Sequence, residues 1–183
     1  MELETLSINT EFYGLTFQFR LGDPLIPGEM VPSFQAKAVK NFKTTDINQD
    51  TFRGKNCLIF FYSQDFSDCC EGTFGLIADM QASKEVDLEY IAISTDSIEV
   101  HQIFAETRGL GVPNNATIVS DKNGSIAKAF GVLDKRTHTA YNSMFMVDKN
   151  GVVQGSRVSG SLSVPVVLSG IEDLLDTVTD AFS

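Results

Sequence analysis

The sequence predicts an α/β domain of three layers, a mixed sheet held between helices. Three observations carry that expectation. The apolar runs "CLIFFY" at 57–62 and "LEYIAIS" at 88–94 suit strands buried on both faces. Residues at helical spacing follow each of them: Phe74, Ile77, Ala78 and Met80 after the first, Ile98, Ile103 and Phe104 after the second. Near the end, the turn Asp148 to Gly151 joins strands at 141–147 and 152–158 into a hairpin, which adds antiparallel pairing.

The remaining elements follow in chain order. Leu15, Phe17, Phe19 and Leu21 alternate with Thr16, Gln18 and Arg20, the period-2 pattern of a half-buried N-terminal strand. Pro24, Pro27 and Pro32 then prevent regular structure over 22–32, and "SFQAKAV" at 33–39 resumes as a strand. "DINQDTFRGKNC" imitates the start of a calcium loop but lacks the glycine at its sixth position and the glutamate at its twelfth, so it reads as a turn. A helix from Cys69 to about Ala82 is weakened at its start by Gly72 and Gly75. Asp96 with Glu99 forms a D-x-x-E pattern that caps a helix running to about Glu106. A Gly/Pro/Asn loop at 109–115 leads to the short strand "ATIVS", then to a turn and a short helix stopped by Gly131. The last helix places Ile171, Leu174, Leu175, Val178, Ala181 and Phe182 on one face and Glu172, Asp173, Asp176 and Asp180 on the other.

Composition narrows the function. With 183 residues and 43% hydrophobic content the chain suits one compact domain. A formal net charge of −10 repels phosphate backbones and argues against nucleic acid as a partner. There is no run of about 18 apolar residues and no signal-peptide order at the start, so the expectation is a soluble intracellular protein of the cytoplasm or an organelle matrix, with no membrane insertion. Three cysteines, two of them neighbours, do not form a disulfide framework. His101 and His138 stand apart and suggest no metal set, His101 reading as structural; no cofactor is expected.

"PSFQAKAV", "RGKNCLIFFYSQDFSDCCEGT", "IAISTDSIEVHQIF", "FGVL" and "MFMVDKNGVV" together resemble the peroxiredoxins, in the alkyl hydroperoxide reductase C/thiol-specific antioxidant branch of the thioredoxin superfamily. The resemblance covers roughly residues 28 to 182. It implies a thioredoxin-like fold for 28–183, preceded by an arm, 1–27, with an extra strand. It also implies dimers and often larger rings.

The family's active site has the form F-Y-P-x-D-F-T-x-x-C-P-T-E. On it, Phe61, Tyr62, Asp65 and Phe66 match, Ser67 takes the place of the threonine, and Cys70 that of the peroxidatic cysteine. A thiol at a helix N-terminus meets the positive end of the helix dipole, which favours the thiolate. Three pocket positions depart from the pattern: Ser63 replaces the proline, Thr73 follows Glu71 and Gly72 where the family has Pro-Thr-Glu, and Asn142 replaces the arginine of "Y-R-G-L-F". Losing that arginine removes a charge that would polarise the peroxide, and a loss of only ~3 kcal/mol in transition-state stabilisation slows a reaction about a hundredfold.

Turnover is expected to use one cysteine. The sequence lacks the family's V-C-P tail, the Cα atoms of Cys69 and Cys70 are only about 3.8 Å apart, short of the roughly 4.4 to 6.8 Å of disulfides, and Cys57 begins a strand about 17 Å long. Cys57 and Cys69 read as packing residues. The leading expectation is a thiol peroxidase: Cys70 attacks a hydroperoxide, Ser67 and backbone N–H groups hold its oxygens, and an external thiol regenerates the cysteine. The alternative is a peroxiredoxin-fold interaction or structural subunit without activity, homodimeric or bound to a protein partner through its N-terminal strand. A slow redox sensor acting through Cys70 lies between the two.

Overall fold

The computed structural model describes residues 7–12, 15–20, 22–68, 70–72, 74, 75, 78, 88–107 and 116–158, the first two segments as backbone only. The loop at 109–115, the helix expected at 171–182, Cys69 and Thr73 lie outside the described residues.

A seven-stranded mixed sheet carries the fold. Its centre is parallel, β5 (Cys57–Phe61) beside β6 (Glu89–Ser94) beside β7 (Ala116–Ser120). Antiparallel strands flank it: β10 (Ser143–Val147) with β11 (Val153–Val158) on one side, β3 (Gln35–Lys40) with β4 (Lys43–Asn48) on the other. Because successive side chains of a strand point to opposite faces, the apolar runs divide into two cores. Leu58, Phe60, Tyr90, Ala92, Met144 and Met146 pack on one face with Phe104 and Ala105 of the helix Ile98–Thr107. Cys57, Ile59, Phe61, Ile91, Ile93, Phe145 and Val147 pack on the other with Ile126 and Ala127 of the helix Ser125–Ala129. These are the three layers that the uninterrupted runs predict.

Several local expectations change. The N-terminal strand is β2 (Leu15–Arg20), and it pairs antiparallel with β1 (Ser7–Phe12) as a separate two-stranded sheet. The segment read as a turn begins with the last three residues of β4, whose outer position in the sheet leaves four of its six residues exposed, so no burial pattern marks it in the sequence. After it, the Asn48 side chain accepts the N–H groups of Asp50 and Thr51 and caps the 3₁₀ turn Gln49–Phe52. Asp96 does not cap its helix. Ser97 does so, its hydroxyl taking the Val100 N–H at 3.5 Å, while the Asp96 carboxylate turns inward. A two-residue ladder, β8 (Leu133–Asp134) with β9 (Thr139–Ala140), follows the short helix.

That short helix ends as predicted at Gly131, with φ 73°. The strand-free segment at 22–32 crosses there, and a Cβ on Gly131 would stand 2.1 Å from the Asp23 carbonyl oxygen. Among the described residues no helix is long and apolar enough to cross a membrane.

Candidate active site

The site lies where β5, β6 and β7 end, the side of a parallel sheet on which α/β folds place their ligands. Tyr62 follows β5 directly, and its N–H is held by the Ile93 carbonyl of β6 at 3.1 Å. The chain then turns sharply. Phe66 adopts φ 58°, a left-handed conformation costly for a bulky side chain, and its ring packs edge-on to Phe104 with centroids 5.2 Å apart. This turn sets Ser67 as the cap of the following helix. Its hydroxyl donates to the Gln64 carbonyl at 2.9 Å and accepts the Cys70 N–H at 3.2 Å, and its own carbonyl takes the Glu71 N–H at 3.0 Å. Asp68, Cys70, Glu71, Gly72, Phe74, Gly75 and Ala78 are helical, which puts Cys70 in the first turn.

Cys70 is fully buried, at 0% exposure, in the core that contains Phe60, Tyr62, Phe74, Phe104 and Met144. The rings around it interlock, with Phe60 and Phe104 each 5.4 Å from Phe74. Asn142, at the position of the family's arginine, is buried beside β10, whereas Ser63 is partly exposed and Glu71 lies in solvent. The structure thus brings Ser67 and Cys70 into contact through the helix cap. Thr73 lies outside the described residues.

Cys57 occupies the far end of β5 and the opposite core, its sulfur 3.6 Å from the Lys55 carbonyl. Burial, reinforced by Glu89, pushes its thiol up to about 12. It is a packing residue, as the sequence suggests.

Sequence reasoning did not foresee the polar chain behind the cysteine. The Tyr62 hydroxyl donates to Asp65 Oδ1 at 2.7 Å, and His101 Nδ1 stands 2.7 Å from Asp65 Oδ2. On the other side, His101 Nε2 meets the Val119 carbonyl at 3.2 Å. The Asp65 N–H reaches Asp96 Oδ2 at 2.7 Å, and Ser94 donates to the same oxygen at 2.9 Å. Burial first, then the neighbouring Asp65 and Cys70, hold the Tyr62 phenol well above its ordinary range. A signal existed in the sequence: Asp65 and His101 each sit inside a matched motif, but 36 residues apart, with nothing in one dimension to pair them. Among the described residues no group of three His, Cys, Asp or Glu could hold a metal ion.

A helix-capped cysteine at the carboxyl edge of a mixed sheet, with a Phe-Tyr-x-x-Asp-Phe approach, defines a protein of the peroxiredoxin class. A profile of the AhpC/TSA family matches residues 27–156, and the chain belongs to that family. Peroxiredoxin 1 of Brugia malayi is 33% identical over 142 residues, 74% of this chain and 62% of the relative. Alkyl hydroperoxide reductase C of Bacillus subtilis (strain 168) is 30% identical over 131 residues, 71% and 70% of the two chains. The chain therefore spans about three fifths of the Brugia protein's length. The crystal structure of Enterococcus faecalis AhpC superposes with a TM-score of 0.71 at 25% identity, covering 86% of this chain and 95% of that one. The fold is the thioredoxin-like peroxiredoxin fold.

Proposed function

We propose that this chain is a thiol peroxidase of the one-cysteine kind. The observation that carries the reading is the placement of Cys70 in the first turn of a capped helix within a chain of the AhpC/TSA family. There the helix dipole favours the thiolate, which attacks the terminal oxygen of a hydroperoxide. The O–O bond breaks, the alcohol leaves with one proton, and the sulfur becomes a sulfenic acid. One external thiol condenses with it to a mixed disulfide and releases water; a second displaces the first and restores Cys70. Ser67 uses its hydrogen and one lone pair in the cap, which leaves the other lone pair to accept a peroxide O–H. Cys57 does not resolve the sulfenic acid, because it lies in the opposite core with its thiol protonated. With Ser63 and Asn142 in place of the family's proline and arginine, the reaction is slow.

The complete burial of Cys70 favours a second reading, a peroxiredoxin-fold subunit kept for its surface. Intact mass spectrometry decides between them. The reduced protein is mixed with stoichiometric hydrogen peroxide and a sulfenic-acid trap over seconds, with Cys70→Ser as control. Trapping that depends on Cys70 supports the peroxidase. Modification no faster than for an ordinary exposed thiol, or spread over all three cysteines, rejects it in favour of the subunit.

A further inference from the structure

The chain Tyr62, Asp65, His101 is buried and built entirely of side chains that the peroxidase reading leaves without a role. Its hydrogens can be placed from its acceptors. A carbonyl only accepts, so His101 Nε2 carries the hydrogen that points to Val119. The 2.7 Å between Nδ1 and Asp65 Oδ2 holds one more proton between them. Asp65 and His101 are therefore neutral as a pair, on whichever side that proton sits. Neither partner keeps this balance alone: without the imidazole, a buried carboxylate faces Tyr62 with no opposing charge.

We propose that His101 is a positioning residue for Cys70: by sharing a proton with Asp65 it neutralises that carboxylate, and so keeps the Tyr62 hydroxyl and the 62–68 loop in the arrangement that sets the polarity around the sulfur. Among the described residues, the groups that bind the pair come from three segments. From the segment after β5 come Tyr62 and Asp65; from that after β6, Asp96, which binds the Asp65 N–H. From β7 comes the Val119 carbonyl, while the Asp121 carboxylate beyond it turns away to the N–H groups of Ile126 and Ala127. Tyr62 links the pair to Cys70, since its hydroxyl binds Asp65 and its ring packs in the same core cluster as Cys70.

The inference rests on Cys70 being the reactive thiol, so its test follows alkylation rather than peroxide turnover. In a Cys57→Ser, Cys69→Ser background, iodoacetamide alkylation of Cys70 is followed by mass spectrometry as a function of pH. His101→Gln is expected to move the midpoint upward by about one pH unit, since an uncompensated carboxylate opposes the thiolate. Asp65→Asn together with His101→Gln is expected to return it, because both charges are then absent. A packing role predicts the reverse: the double variant displaced at least as far as the single. An unmoved midpoint in His101→Gln, or no recovery in the double variant, overturns the proposal. Ring ¹⁵N–¹H correlation spectra of the unaltered protein at neutral pH give a second reading that needs no variant: hydrogen on His101 Nε2 is expected, and an unprotonated Nε2 overturns the proposal. Absence of peroxidase activity in the same samples sinks the function proposed above and leaves both readouts intact.

Discussion

Ser67 illustrates how one hydroxyl serves structure before chemistry. It satisfies the Cys70 N–H at the start of the helix, and Ser67→Ala removes that acceptor. The expected cost is about 1 kcal/mol in urea denaturation, with Ser67→Thr close to the parent, since threonine also caps. Asn142 is the complementary case. Its position is buried, and a cation there would favour both thiolate and polarised peroxide. Asn142→Arg is expected to speed peroxide-dependent trapping of Cys70 by at least tenfold, and an unchanged rate in a folded variant would remove the arginine position from the proposed account of the rate. Cys57 gives a pH prediction. Its folded value is about 12 against 9.0 for an ordinary thiol, so above pH 9 the unfolded chain releases a proton that the folded one retains. Stability is thus complete below pH 9 and declines as pH rises toward 12. At pH 10 the loss from this thiol is about 1.4 kcal/mol, and denaturation at pH 8 and 10 should show stability falling by that much more in the parent than in Cys57→Ala.

At the scale of elements, the sequence is legible wherever one segment decides its own burial. β5 is an uninterrupted apolar run, β6 and β10 are apolar except at Glu89, Ser94 and Ser143 on their ends, and every residue of β5 and β10 is buried. β4 was invisible for the opposite reason. It lies at the sheet edge with a mostly exposed face, so its only specification is pairing with β3, a partner chosen in three dimensions. The cap of the helix Ile98–Thr107 shows the same limit: Asp96 and Ser97 both suit a helix start, and Asp96 is withdrawn because the Asp65 N–H, 31 residues away, claims its carboxylate. Gly131 is where an element boundary and a tertiary crossing coincide. Gly131→Ala combines a positive φ with a Cβ 2.1 Å from the Asp23 carbonyl oxygen, so the 22–32 segment must lift away. A loss of about 2 kcal/mol or more in thermal or chemical denaturation is expected, well beyond the roughly 1 kcal/mol of a glycine replaced in open space.

Across the whole molecule, the seven-stranded body and the β1–β2 hairpin are separate sheets. The hairpin's two strands pair with each other, and each retains one outer edge whose N–H and C=O groups lie outside that ladder. A hairpin of this size is marginal by itself, and pairing with another chain would stabilise it. Removal of residues 1–21 is expected to leave the body folded by circular dichroism and to reduce assembly mass in light scattering. Unchanged mass would remove the arm from any role in association.

The sequence by itself determined the layered α/β plan, the order of the buried strands and the identity of the cysteine in the family motif. These depend on periodicity, on uninterrupted apolar runs and on contiguous residues, all of which are local. Only the tertiary structure decided the setting of Cys70: its burial in one core cluster with Phe60, Phe74 and Phe104, the recruitment of Ser67 as its cap, and the alignment of Tyr62, Asp65 and His101. Those contacts join residues from the end of β5 and the segment after it with residues of two helices. Their distances are set by how the sheet brings its carboxyl edges together, and a linear pattern does not encode them.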